Sequence, residues 1–297
     1  MITAIILTYN EEIHIERCIK SLQKITSKII VVDSQSKDKT LAICEELGVQ
    51  VYQNPFVNQA QQFNWALENC DISTDWVIRL DADEYLTDDL AKEIIPAINS
   101  APENTTGFYL KRRVYFMGKW IKYGGYYPTK LLRIWKKNCG KYENRWMDEH
   151  VILEIGEAAE LKFDFIDDNL NNMTWWTQKH NSYATREAVD ILNAKFQFME
   201  SETIDISGKS QSEQKRKYKE GIYLKLPLFI RPFIYFFFRY FILLGFLDGK
   251  RGFIWHFLQG LWYRFLVDAK VYQIKNFAQS EGKTISETLR DHYHFEL

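Results

Sequence analysis

Through the first third of the chain, short apolar runs alternate with amphipathic segments. Residues 2–7 form an apolar run of strand length with β-branched members, the pattern of a strand buried on both faces. After the polar turn Thr8-Tyr9-Asn10-Glu11-Glu12, Ile15, Cys18, Ile19 and Leu22 recur at i, i+3, i+4 and i+7, which predicts a helix beginning near Asn10 or Glu11. Residues 28–33 read as a second buried strand, and the polar loop after them offers Ser36 as a helix cap. Leu41, Cys44 and Leu47 mark a helix stopped by Gly48, and residues 49–53 a third strand. Residues 58–70 carry Phe63, Ala66, Leu67 and Cys70 on one helical face, and residues 75–80 give a fourth strand. This alternation predicts a parallel sheet with right-handed crossovers, whose ligands sit beyond the carboxyl ends of the strands.

The pattern then loosens. Residues 86–100 read as a helix burying Leu90, Ile94, Ile95 and Ile98. Residues 107–117 and 131–135 read as strands around a glycine-aromatic loop at 118–127, which suits either core packing or a stacking platform that would include Tyr126. The stretch 175–183 leads into a helix running to about residue 200, and residues 208–221 are polar and basic, a hinge or loop. Residues 222–247 would just span a bilayer in length, but Lys225, Pro227, Arg231, Pro232 and Arg239 interrupt them. A central Arg costs about 2.5 to 3.5 kcal/mol on insertion scales, so embedding in the membrane plane is favoured over a lipid-exposed span. Residues 252–277 repeat the aromatic and basic theme, and residues 284–292 form a terminal helix capped near Thr284 or Ser286.

Composition adds an asymmetry. The formal net charge is −1, yet residues 209–275 hold 13 Lys and Arg against 4 Asp and Glu, and residues 1–208 net to −8. The basic tail is the part expected to meet an anionic surface; no nucleic-acid partner is expected. Hydrophobic residues make up 46% of the 297 positions, enough for a sizeable core, and the 15% aromatic content suits sugar stacking or interfacial anchoring. Cys18, Cys44, Cys70 and Cys139 show no metal-site spacing, so reduced core thiols are expected. The amino terminus has no basic region ahead of its first strand, which predicts a cytosolic chain.

The chemistry centres on Asp81-Ala82-Asp83-Glu84 at the end of the fourth strand. Carboxylates at i and i+2 share one side of an extended strand, so Asp81 and Asp83 would share a hard divalent ion if that geometry persists past Leu80. An acidic surface turn gives the same letters. Neither a dinucleotide glycine fingerprint nor a Walker A loop is present.

Taken together, TYNEE after the first strand, VVDSQSKDKT after the second and LDADE after the fourth resemble the nucleotide-sugar half of the inverting glycosyltransferases of family 2. The resemblance implies a GT-A fold, a Rossmann-like α/β sheet that is mostly parallel and flanked by helices, with a C-terminal amphipathic, membrane-associating region. It implies a catalytic domain over residues 1–205, donor half 1–100 and acceptor half 101–205, then a basic linker at 206–221 and an interfacial helical region at 222–297. Thr8, Asn10, Glu11, Asp33 and Ser36 would line the base and ribose, with Asp38, Gln59, Gln62 and Asn64 nearby and Arg79 offsetting diphosphate charge. Asp83 would hold Mg2+ or Mn2+, with Asp81 contacting the ribose or the ion and His150 completing the metal shell or touching phosphate.

An acidic pair after the central strands would supply the base that deprotonates the acceptor. Here the order is Asp148-Glu149, the reverse of the family's more familiar one; Glu149 is favoured over Asp148. Lys179 and His180 are candidate phosphate contacts, with capping and solvated charge as the other reading. The tail resembles that of members that elongate lipid-borne saccharides of lipopolysaccharide core, O-antigen or capsule, which implies a hexosyltransferase at the cytoplasmic membrane face using a UDP-linked donor and a lipid-linked acceptor. The alternatives are an inactive membrane-surface scaffold and a nucleotidyltransferase.

Overall fold

The computed structural model describes residues 1–143, 150–198 and 223–294. These fall into two compact units, one of residues 1–122, 126–143 and 150–170, the other of 123–125, 171–198 and 223–294.

The first unit is built on strands whose sequence is apolar at nearly every position because both faces are covered. Strands β1 (Ile2–Thr8), β2 (Ile29–Asp33), β3 (Gln50–Gln53) and β4 (Trp76–Asp81) pair in parallel in the order β3-β2-β1-β4. Period-2 alternation sorts their side chains. Ala4, Ile6, Val31, Ile78 and Leu80 face helices α1 (Ile15–Leu22) and α4 (Asp88–Ser100), while Ile5, Ile30, Val32 and Val77 face α3 (Gln59–Asn69). Helix α2 (Thr40–Glu46) packs its Cys44 on the first of these faces. Cys18, Cys44 and Cys70 are buried and, with half-buried Cys139, form no disulfide, as expected of reduced core thiols.

Beyond β4 the sheet becomes mixed. Strands β8 (Thr129–Lys136) and β6 (Thr105–Phe116) add antiparallel, β11 (Glu157–Asp168) adds parallel to β6, and β5 (Glu84–Leu86) closes the edge antiparallel to β11. Strand β7 (Lys119–Ile121) pairs with β6, so the described residues give nine strands, and β9 (Gly140–Tyr142) with β10 (Val151–Leu153) make a separate hairpin.

Several local expectations need correction. Helix α1 starts at Ile15, not near Asn10, because residues 10–14 form a turn in which Asn10 takes the left-handed conformation at φ 55°. Ser36 caps no helix; its hydroxyl is spent on Asp33 and Asn10, and α2 begins at Thr40, whose backbone N–H is received by Asp38. The helix expected from residue 86 starts at Asp88 under a Thr87 cap, because residues 84–86 are a strand.

The second unit is helical. Helix α5 (Met173–Phe196), capped by Asn172, packs on the long α7 (Gly245–Glu281). Residues 175–183 are therefore within a helix instead of leading into one. Ala188, Val189, Leu192, Val271, Ile274 and Leu289 form its core, the last from α8 (Ile285–Tyr293), which begins at Thr284 in a full capping box. Helix α6 (Arg231–Ile242) meets α7 at a 70° bend. No single helix among the described residues is long and apolar enough to cross a membrane, although the bent pair passes on length and composition. Gly124 takes φ 68° under the His256 ring; a Cβ there would stand 2.0 Å from the imidazole, so both its conformation and its lack of a side chain are required. The expected linker at 206–221 lies outside the described residues.

Candidate functional site

Three polar strand ends share one end of the sheet. Because β2, β1 and β4 are parallel neighbours, Thr8 lies opposite Asp33 and Leu7 opposite Asp81. Hydrogen bonds lock the first two loops together. Fully buried Asp33 accepts from the Thr8 hydroxyl (3.1 Å), the Ser36 amide (2.9 Å) and the Ser36 hydroxyl (2.5 Å). The Asn10 amide donates to Ser36 Oγ (2.8 Å), the Lys37 amide to Asn10 Oδ1 (2.8 Å) and the Glu11 amide to Thr40 Oγ1 (2.8 Å). Asp38 receives the Glu12 amide at 3.1 Å. Asp33 thus organises the loop, while Tyr9 and Asn10 stand exposed on it.

The third end turns sharply. Strand β4 stops at Asp81 and β5 starts at Glu84, so the extended geometry runs to Asp81 and breaks before Asp83. Asp81 accepts from Arg79 (2.7 Å, on Oδ1) and Gln59 (3.3 Å), and Arg133 lies 3.5 Å from its Oδ2. Buried Glu84 closes the turn: its Oε2 takes the Asp81 amide (2.9 Å) and its Oε1 the Arg133 guanidinium (2.5 Å). Burial pushes Glu84 up to about 8 against the pull of Arg133. Burial also raises Asp167, at the end of β11, to about 6; Arg112 opposes this, and the charges of Asp83 and Asp81 add to it. Asp83 is half-buried, and its Oδ2 accepts from Asn169 at 2.9 Å.

Other expected contacts lie elsewhere. Arg79 is 4% exposed, stacked against Tyr142 and Phe63 and bonded to Asp81, so it orients that carboxylate. Gln62 is buried, and its amide is spent on Asn54 and Ser34 inside the fold; Asn64 pairs with the Tyr142 backbone. No three His, Cys, Asp or Glu side chains among the described residues gather into a metal-holding group. His150 sits ahead of β10, and its carbonyl accepts from the Glu143 amide. Tyr126 is half-buried, its carbonyl bonded to Thr129. In the same loop Trp120 and Tyr127 pack edge to face, and the Tyr127 hydroxyl donates to Asp164, which suits core packing more than a sugar platform.

In the second unit His180 is buried, stacked on Trp176 and donating from Nδ1 to the Trp176 carbonyl. Burial lowers it to about 4, which favours the uncharged ring. Lys179 lies over the Trp175 and Tyr183 rings. Asp148 and Glu149 fall outside the described residues.

Sequence reading missed His14, Arg17, Arg133 and residues 167–170. For the last of these the one trace in the sequence was the short alternation Leu161, Phe163, Phe165, too interrupted by polar residues to mark the strand that leads to them.

The chain matches the family model described as glycosyl transferase family 2 over residues 3–170, more than half its length. The lipopolysaccharide core biosynthesis glycosyltransferase LpsC of Rhizobium meliloti is 28% identical over 282 residues, covering 92% of each chain. An uncharacterized glycosyltransferase of Rickettsia bellii is 43% identical over 93 residues; that match spans 31% of the relative's length and 31% of this chain. Among solved structures, S. aureus TarS 1–349 in complex with UDP-GlcNAc is 18% identical, with TM-score 0.46 over 95% of this chain and 92% of that one.

Proposed function

The chain belongs to glycosyl transferase family 2, and from that premise we propose that it transfers a hexose from a UDP-linked donor to a lipid-linked saccharide with inversion at the anomeric carbon. The observation that carries this reading is the meeting of the Thr8, Asp33 and Asp81 strand ends beside the acidic turn. The interlocked loops at 8–12 and 33–40 give the base and ribose a rigid set of amide, hydroxyl and carboxylate groups. Asp81, held by Arg79 and approached by Arg133, is a fixed acceptor for a sugar hydroxyl.

Asp83 would hold Mg2+ or Mn2+. One protein carboxylate plus substrate phosphates is a usual way to bind such ions, and a half-buried carboxylate steadied by Asn169 fits it. Once bound, the ion supplies positive charge to the departing diphosphate. One of Asp148 and Glu149, Glu149 first, takes the proton of the acceptor hydroxyl as that oxygen attacks.

The acceptor class follows from LpsC, whose name places it in lipopolysaccharide core biosynthesis, and from the second unit's surface. Between residues 226 and 249 every exposed residue is apolar or glycine, Phe233, Phe237, Phe238 and Phe241 among them. The charges of that stretch turn inward: Arg231 pairs with Asp268, Arg239 donates to the Gly124 carbonyl, and Asp248 accepts from the Tyr123 amide. Protein interfaces favour exposed Arg, whereas a lipid-facing surface needs its charges neutralised internally. Exposed Lys225, Lys250 and Arg251 flank the stretch, as expected for anionic headgroups. Helix α6 is about 18 Å long against a hydrocarbon core of roughly 30 Å, too short to span it alone, which supports a place for residues 223–277 in the membrane plane.

The test is incubation with a panel of nucleotide sugars and a lipid-linked oligosaccharide, reading nucleotide release and product anomer by NMR. A β-linked product from an α-linked UDP-hexose is expected; a retained anomer, or release of pyrophosphate, would overturn the reading.

A further inference from the structure

We infer that the turn ending β11, residues 168–170, is a clamp that positions the two arms of the donor site at once: Asn169 fixes Asp83, and Leu170 fixes Glu11 through His14. The inference rests on the reading that Asp83 and Glu11 face a nucleotide donor.

The first arm runs to the acidic turn. Asn169 Nδ2 donates to Asp83 Oδ2 at 2.9 Å, and among the described residues the other oxygen, Oδ1, accepts no hydrogen bond. The Asp168 amide donates to the Asp83 carbonyl at 3.1 Å, which ties the backbone of one turn to the other. Arg17 seals the pair: its guanidinium, stacked over Tyr85, donates to the Asp168 carboxylate (2.9 Å), the Asp168 carbonyl (2.6 Å) and the Asp83 carbonyl (3.3 Å). Both the chain and the carboxylate of Asp83 are thus held from β11. A donor that engages one oxygen of a ligand carboxylate sets which lone pairs face the ion, and loss of such a partner lowers metal affinity.

The second arm runs to the first loop. The Leu170 amide donates to His14 Nε2 at 2.8 Å. An amide can only donate, so Nε2 accepts and the ring proton resides on Nδ1. Nδ1 then donates to Glu11 Oε2 at 2.5 Å. His14 is fully buried, so no water competes for either nitrogen, and the tautomer is set by one backbone amide contributed from the far end of the catalytic unit. Glu11 is left half-buried with one oxygen fixed. Asn169 and His14 are positioning residues: neither is assigned a reacting atom.

The two arms make separable claims, measured on the full chain by the melting temperature in UDP across a Mn2+ series. Asn169→Ala should raise the Mn2+ concentration for half-maximal stabilisation about tenfold to a hundredfold and leave UDP affinity at saturating Mn2+ unchanged. His14→Phe should do the reverse, weakening UDP at saturating Mn2+ with the Mn2+ midpoint unmoved. If His14→Phe fails to fold, Glu11→Gln reports the same arm. A merely structural role would weaken both quantities together in every variant, and that result overturns the clamp, as does an unchanged Mn2+ midpoint in Asn169→Ala. Wild-type protein indifferent to UDP at every Mn2+ concentration would overturn the donor reading and the clamp with it.

Discussion

The two units treat charge in opposite ways. In the first, arginines and carboxylates gather at the carboxyl ends of the strands. Arg79, Arg133 and Arg17 are spent holding Asp81, Glu84 and the Asp83 turn. In the second, Arg231, Arg264, Glu187 and Asp268 pair inside the helices, and the outside between residues 226 and 249 is apolar. Buried ion pairs fix geometry in one unit and clear a surface of charge in the other.

Breaking one partner of the second unit's pair should have the largest effect. Asp268 is fully buried and receives both Arg231 and the Phe229 amide, so Arg231→Leu leaves a charge without its counterion. A loss of about 3 to 5 kcal/mol is expected in urea titration, with much of it recovered in the Arg231→Leu/Asp268→Leu double variant. A single-variant loss under 1 kcal/mol would remove the inward pair from the comparison. Next is Asp83→Ala, expected to cut transfer by about 100-fold or more while leaving the melting temperature near wild type. Near-normal turnover in a chelator would dispense with the ion.

Third is acid. His180 falls to about 4 in the fold against an ordinary value near 6.5, so the folded state holds its proton less tightly than the unfolded chain. Its contribution is present above pH 6.5 and is lost as pH falls toward 4. Stability should drop by about 2 kcal/mol between pH 7 and pH 5, and His180→Phe should flatten that segment of the melting-temperature profile. An unaltered slope would mean that another group carries it. The smallest effect is expected for Phe237→Ser/Phe238→Ser/Phe241→Ser, which alters side chains about half exposed. Co-sedimentation with phosphatidylglycerol vesicles should weaken about tenfold, with the fold intact, since rings already half covered by the protein contribute only a fraction of the roughly 1.5 to 3 kcal/mol that full burial of each is worth. Unchanged vesicle binding together with a monomer formed from a dimer would assign the face to a second copy.

The parallel half of the sheet was legible because burial on both faces leaves an unbroken apolar run, as in β1 and β2, and the amphipathic stripes of α1 and α3 stood out for the same reason. Strand β11 was not legible. Its polar members serve partners far away in sequence: Asp164 receives Arg113, and the amides of Lys162 and Phe163 bond to Glu93. The acidic turn could be placed because chemistry in such sheets lies at strand ends. The direction of each side chain could not. Arg79 and Gln62 have suitable chemistry but face the packed interior, and His14, which reads as a helix-face residue, is fixed by an amide 156 positions away.

The central claim, that the three strand ends form one metal-assisted nucleotide-sugar site, is tested most directly by thermal shift with UDP-sugars, with and without Mn2+, on wild type and Asp83→Ala. The expected result is stabilisation of wild type by at least one UDP-sugar, enhanced by Mn2+, with the Mn2+ enhancement absent from Asp83→Ala. A Mn2+ enhancement that survives in Asp83→Ala, or a wild type that responds to no nucleotide sugar, would contradict it.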